Sequence, residues 1–288
     1  MTDSILASDV VTPPEPLEAA LLKRVESGQI ELPLLPDVAW RVMEMSRSDD
    51  VDIRQISDVV HRDQALASHL LRVANSPAYM SRMPILSLQQ AIGRLGVRTL
   101  SEIVFAVSVQ SRLFEAPGYE QEIQALWMHS VSTGLYANAV ARLLRRNVEG
   151  AFLCGLLHDI GKAIILQLLI DIQNEEAMML LPAALDDLVE AHHQHVGGLL
   201  AQQWSLPTYV CESILSHHDN PPSAECSELV LVTQLADCLS YHMMTPERVD
   251  ADSVTNHPVL PILNLYPEDV AELIEQQEKI KKVVESMS

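Results

Sequence analysis

Residues 151–170, AFLCGLLHDIGKAIILQLLI, carry an imidazole, a carboxylate and an ammonium (His158, Asp159 and Lys162) inside a long apolar stretch. Such a stretch has to be buried, and an ionised group taken in with it is costly unless it is paired or coordinates a cation. The chain must therefore fold so that other polar side chains meet His158 and Asp159 in the interior. Asp237, in LVTQLADCLS, repeats the pattern on a second apolar face. Imidazoles are concentrated to match: seven of the 11 histidines fall between His129 and His218, including the runs HHQH at 192–195 and HH at 217–218.

The periodicity around these groups is helical throughout. Leu17, Leu21, Leu22 and Val25 mark a first helix starting near Leu17, with Gly28 as its stop, and a second begins at about Asp37. Ile53, Ile56, Val59 and Val60 form the face of a third, and Asp63 is the expected N-cap of a fourth. Ser87 and Gln90 form a capping box for a short helix that Gly96 closes, and Val97–Leu113 continues as another. Further helices are expected through Ala125–Arg146, Gly150–Leu169, Asp186–Trp204, from Pro207 to about His217, Cys226–Met244, and from Pro267 onward. No Asn-Gly or Asp-Gly sits between alternating runs, so no hairpin is expected and the fold class is all-α. The proline-rich TPPEP suggests a flexible tail over 1–16. A boundary near Ala116–Tyr119 would divide an N-terminal helical bundle, 17–116, from a second helical lobe, 117–288, that includes the C-terminal helices.

With 19 basic against 39 acidic residues the formal charge is −20, which disfavours unassisted binding to duplex nucleic acid or an anionic membrane. At 48% hydrophobic the chain is not of the disordered class. No uninterrupted apolar run reaches the roughly 18 residues of a membrane helix, and the acidic opening MTDSILASDVV is unlike a secretory signal, so a cytoplasmic location is expected. Cys154, Cys211, Cys226 and Cys238 show no paired spacing and suit reduced, mostly buried thiols.

HDIGK at 158–162, the upstream His129 in LWMHS and the downstream Asp237 resemble the H…HD…D pattern of the HD superfamily of metal-dependent phosphohydrolases. More narrowly, LPLLPDVAWRVM, HRDQALASHLLRVANSPAY, AIGRLGVRTL, HxxxGxLLAxxWSLP and SHH together resemble the HDOD family, the HD-related output domain of bacterial signalling proteins, over roughly residues 25–240. The resemblance implies an all-helical module in which an N-terminal bundle joins an HD-like lobe. It also implies a metal set: His129, His158, Asp159 and Asp237 at one position. By similarity to the binuclear HD-GYP relatives, His193, His217 and His218 complete a second, with Asp159 bridging. Lys162 then corresponds to the lysine that meets a phosphate oxygen, which would make Asp159 and Lys162 the catalytic residues of an active enzyme. The full ligand set is present, whereas the GYP segment is replaced by DNPPSAE and Gln64 stands where HDOD proteins commonly have proline.

Imidazole and carboxylate donors without thiolate suit one or two divalent transition metals, iron, manganese or zinc. Arg142, Arg145 and Arg146 are candidates to assist an anion, with a solvated basic face as the alternative. His61, His69, His242 and His257 are expected to be hydrogen-bonded core residues. Three readings follow. The first is a signal-transduction module that binds signalling protein partners and retains the metal site. The second is a working phosphohydrolase or phosphodiesterase acting on a phosphate ester or nucleotide. The third is a metal-free helical scaffold.

Overall fold

The computed structural model describes residues 14–27, 32–46, 52–79, 84–176, 182–219 and 226–287, and all of their regular secondary structure is helical. The first six helices are α1 (Pro14–Glu26), α2 (Asp37–Ser46), α3 (Ile53–His61), α4 (Gln64–Ala74), α5 (Leu88–Leu95) and α6 (Val97–Leu113). The starts follow local chemistry. Asp52 accepts from Arg54 N at the head of α3, Asp63 from Leu66 N at α4, and Ser87 from Gln90 N at α5, each satisfying a backbone donor that has no partner within the helix. Gly96 ends α5 at φ 82°. Helix α1 begins three residues before the expected Leu17, with Pro14 in the first turn, where a missing N–H costs nothing. Gly28 and the GYP-replacing segment 220–225 lie outside the described residues.

The remaining helices are α7 (Glu120–Leu144), α8 (Val148–Leu157), α9 (Ile160–Glu176), α10 (Pro182–Gln203), α11 (Thr208–Ser216), α12 (Glu228–Met244), α13 (Ala251–Thr255), α14 (Pro267–Glu275) and α15 (Gln277–Met287). Two expected helices are divided. The stretch 150–169 breaks at His158–Asp159 into α8 and α9, and the C-terminal segment breaks at Gln276 into α14 and α15. Short α13 had no periodic apolar signal.

Helices α2, α4 and α5 pack on α6, which also touches α8. Helix α7 lies against α8 and α12, α9 against α10, and α11 against α8, α10 and α12. The packing crosses the expected 116/117 boundary: α1 lies on α9 and α10, and α15 bridges α4 and α7. One continuous cluster of buried apolar side chains runs from Leu17 to Met287. Within it Trp127 donates Nε1–H to Met287 O at 3.2 Å, and Trp204 donates to Pro33 O at 2.7 Å.

Val148–Glu175, spanning α8 and α9, is long and apolar enough by length and composition to cross a membrane, with a mean hydropathy of 1.7. The sequence reading missed this stretch because polar residues interrupt every run, yet 89% of it is buried within the fold, as a central core helix pair requires. All four cysteines are free thiols, and only Cys154 is fully buried.

Candidate metal centre

Helices α7 to α12 deliver the polar side chains to one interior point. His129 comes from α7, His158 and Asp159 from the α8–α9 turn, His193 from α10, His217 and His218 from the end of α11, and Asp237 from α12. His158 and His193 are 0% and 1% exposed, and Asp159 2%. The turn at 158–159 joins α8 to α9 with His158 itself in helical dihedrals (φ −53°, ψ −39°), and both side chains are buried. Close approach of the helices depends on glycine at two positions. A Cβ on Gly161 would lie 1.9 Å from His193 O, and one on Gly155 would lie 2.6 Å from Thr133 O, so α9 meets α10, and α8 meets α7, at backbone distance.

The tautomers are set by the second ring nitrogen. His158 Nδ1 is 2.8 Å from Gly155 O, His193 Nδ1 is 2.9 Å from Glu190 O, and His217 Nδ1 is 3.0 Å from Ser213 O. A carbonyl oxygen only accepts, so each Nδ1 carries a proton and donates it, and in the neutral, metal-binding form of each ring Nε2 is the bare nitrogen. His129 Nδ1 sits 3.0 Å from Ser240 Oγ, which in turn donates to His129 O.

Those bare nitrogens face one another. His129 Nε2 and His158 Nε2 are 3.3 Å apart, and His193 Nε2 and His217 Nε2 3.4 Å apart. Between the pairs lies the Asp159 carboxylate: Oδ2 is 3.4 Å from His158 Nε2, and Oδ1 is 3.4 Å from His193 Nε2 and 3.3 Å from His217 Nε2. Asp237 Oδ1 is 2.9 Å from His129 Nε2 and 3.5 Å from His158 Nε2. Despite these short separations, Asp159 Oδ1 and Asp237 Oδ1 are buried without a hydrogen-bond partner. Acceptors crowding acceptors require added positive charge. A cation about 2.1 Å from each ligand spaces neighbouring ligand atoms by about 3.0–3.4 Å in octahedral or tetrahedral geometry, so the spacing fits. The donor atoms fall into two groups that share Asp159: His129 with His158, and His193 with His217 and His218.

The electrostatics carry the same demand. Burial opposes the charged form of His158, yet the Asp159 carboxylate and then Asp237 hold its pKa up at about 10. Burial likewise opposes ionisation of Asp159 and Asp237, but the surrounding imidazoles keep both carboxyls well below the usual range. His218, by contrast, is pushed down to about 4 by burial and by its neighbour His217. Lys162 Nζ contacts Asp159 Oδ2 at 3.0 Å and Glu190 Oε1 at 2.6 Å and is 7% exposed. Tyr241 stacks on His129 at a centroid distance of 4.3 Å.

The structure thus brings together every sequence-expected ligand, His129, His158, Asp159, His193, His217, His218 and Asp237. The supporting residues Ser240, Tyr241 and Glu190 carried no sequence signal of their own. Arg142 and Arg146 are elsewhere: Arg142 donates to Asn138 Oδ1 and Arg146 pairs with Glu228. Arg142 also lies thirteen residues along α7 from His129, about 20 Å at helical rise. Of the four histidines expected as hydrogen-bonded core, none is fully buried. His61 is exposed, and His69 Nε2 is buried without a partner. His242 Nδ1 donates to Val249 O, and His257 lines a cleft of about 340 Å³ with His217, His218 and Asp237.

The HDOD domain family model matches residues 32–220. A solved HDOD domain protein of unknown function from Geobacter sulfurreducens is 26% identical, with TM-score 0.71 over 96% of this chain and 99% of that one. A candidate metal-dependent phosphohydrolase from Shewanella amazonensis SB2B shares the fold, with TM-score 0.73 at 20% identity over 96% of this chain and 99% of that one. An uncharacterized protein of Treponema pallidum (strain Nichols) is 25% identical over 225 residues, 75% of this chain. The chain spans about two fifths of that curated relative, 42% of its length.

Proposed function

We propose, from the premise that the chain belongs to the HDOD family, that it is a signal-transduction module organised around a two-metal His/Asp centre. His129, His158, Asp159 and Asp237 would hold one ion; Asp159, His193, His217 and His218 would hold the other. The observation that carries this reading is the convergence of imidazole Nε2 atoms on the Asp159 and Asp237 carboxylates, in two groups that share Asp159 and have the spacing of metal ligands. Without metal, a proton on His158, whose pKa the two aspartates hold at about 10, and the Lys162 ammonium would supply the positive charge beside the carboxylates; a bound ion would take the place of that proton. Iron, manganese or zinc suits the donor set, and an ion of this class supplies Lewis-acid polarisation of a phosphoryl oxygen.

The chain's own residues set the rest. Backbone carbonyls and Ser240 fix each imidazole in the Nε2-coordinating tautomer. Lys162, held between Asp159 and Glu190, orients the shared carboxylate; an anion reaching its ammonium has to displace Glu190. Signalling protein partners are assigned on family membership, the output role being that of the module. Elemental analysis of protein purified without affinity-metal resin tests the centre. The expected content is about one to two equivalents of transition metal, lost in His158→Ala. A metal-free wild type would leave a protein-binding scaffold instead.

The phosphohydrolase reading is favoured by one observation, the cleft of about 340 Å³ lined by His217, His218 and Asp237. Its test is Mn²⁺-dependent hydrolysis of bis(p-nitrophenyl) phosphate, which Asp159→Ala should abolish. Activity unchanged in that variant would overturn the assignment of the site.

A further inference from the structure

The segment after α12 lies beyond the residues matched by the family, and it turns back so that His257 and Pro258 line the same cleft as His217, His218 and Asp237. From this placement, and resting on the metal reading above, we propose that His257 positions an anionic ligand at the metal centre. It would do so by donating its Nε2–H to an oxygen of phosphate or of a phosphate ester.

Elimination among the lining groups carries the argument. The described residues lining the cleft include no lysine or arginine, and Asp219 among them only accepts, so among the described residues an oxyanion at the metals takes its further hydrogen bonds from neutral donors. The Gln234 amide is committed, donating to Asp219 O at 3.0 Å and Ser216 O at 3.4 Å. Pro258 has no donor, the Cys238 thiol is a weak one, and Asp237 only accepts. His218 would be occupied as a ligand. His257 remains. Its Nδ1 accepts a long hydrogen bond, 3.5 Å, from Val259 N–H, which places the ring proton on Nε2, and no described residue takes that proton.

The ring is also presented from a fixed support. His257 N donates to Val254 O at 3.2 Å and Leu260 N donates to His257 O at 3.1 Å, while Val254, Val259 and Leu260 are buried. A donor held this way loses little freedom when it binds an anion.

The test uses the full chain loaded with Mn²⁺, with metal content measured by elemental analysis and inorganic phosphate titrated calorimetrically. Wild type, His257→Ala and His257→Gln should carry the same metal. Phosphate Kd should rise about tenfold or more in His257→Ala, as expected for losing a hydrogen bond to a charged group. It should return close to wild type in His257→Gln, whose amide places a donor near the position of Nε2. Unchanged phosphate affinity in His257→Ala at unchanged metal content overturns the proposal, as does a metal-loaded wild type that binds no phosphate. Loss of metal in both variants would overturn it too, making the residue part of the scaffold. A wild type that takes up no Mn²⁺ defeats the metal reading itself, a result separable from the others because it appears before any phosphate is added.

Discussion

Buried carboxylates are handled in two ways in this protein, and the contrast is testable. Asp159 and Asp237 are ringed by imidazoles and held ionised. Glu102, 5% exposed on α6, has the Asn138 amide at 2.8 Å as its hydrogen-bond donor. Burial, opposed chiefly by Arg142, pushes its pKa to about 7. The folded state therefore keeps the Glu102 proton to higher pH than the unfolded chain, whose ordinary value is 4.5, and stability should fall as pH rises through that window. Glu102→Gln removes the titration while retaining an acceptor for Asn138. In urea denaturation it should match wild type near pH 4.5 and exceed it by about 2 kcal/mol at pH 8; equal stability at both pH values would refute the assignment. On the metal reading, Asp159→Asn alters the carboxylate shared by both candidate ligand groups and should remove essentially all bound metal, whereas His129→Ala touches one group and should spare part of it. The residue pattern made these ligands legible, because a charged side chain inside an apolar run needs a partner. It gave no hint of Ser240 or Glu190, since a serine or glutamate on a helix is ordinary until the fold brings it beside an imidazole or an ammonium.

Capped helices were readable from local chemistry, as Asp63, Ser87 and Gly96 show. The break that matters most was not. Nothing in AFLCGLLHDIGKAII lowers helix propensity enough to announce a turn at His158–Asp159; that turn follows from packing α8 on α7 and α9 on α10. Gly161 is the hinge of that packing, because a side chain there meets His193 O at 1.9 Å. Gly161→Ala should therefore destabilise by about 3 kcal/mol or more through forced separation of α9 and α10. Gly93→Ala, in the exposed middle of α5 with nothing within 4 Å of an added Cβ, should stabilise by about 1 kcal/mol. Chemical denaturation of the pair measures both, and similar behaviour of the two variants would refute the close-contact argument.

Helices α7 to α12 are joined through the His/Asp cluster, while α2 to α5 pack on one another and on α6, and none of α2 to α6 contributes to the cluster. On the metal reading, binding stabilises the folded state over the unfolded one. Chelation should therefore lower the Tm by several degrees and raise amide exchange selectively in α7–α12, with α2–α6 little changed. Uniform exchange across the chain would mean that the cluster is not a local tie. The continuous core from Leu17 to Met287 also means that helices distant in sequence share one interior, with α1 on α9 and α15 on α4 and α7.

Helical periodicity, the absence of hairpin turns and the buried His/Asp groups establish an all-helical chain with a polar point inside it, because these depend on neighbours within a few residues. Which nitrogen of each imidazole faces inward, that Asp159 stands between two pairs of histidines, that Lys162 is already held by Glu190, and that His257 lines the same cleft depend on contacts between residues up to about a hundred positions apart. Those contacts are set by how closely helices pack, and at the His/Asp cluster that closeness is decided by two glycines whose missing side chains let backbone meet backbone.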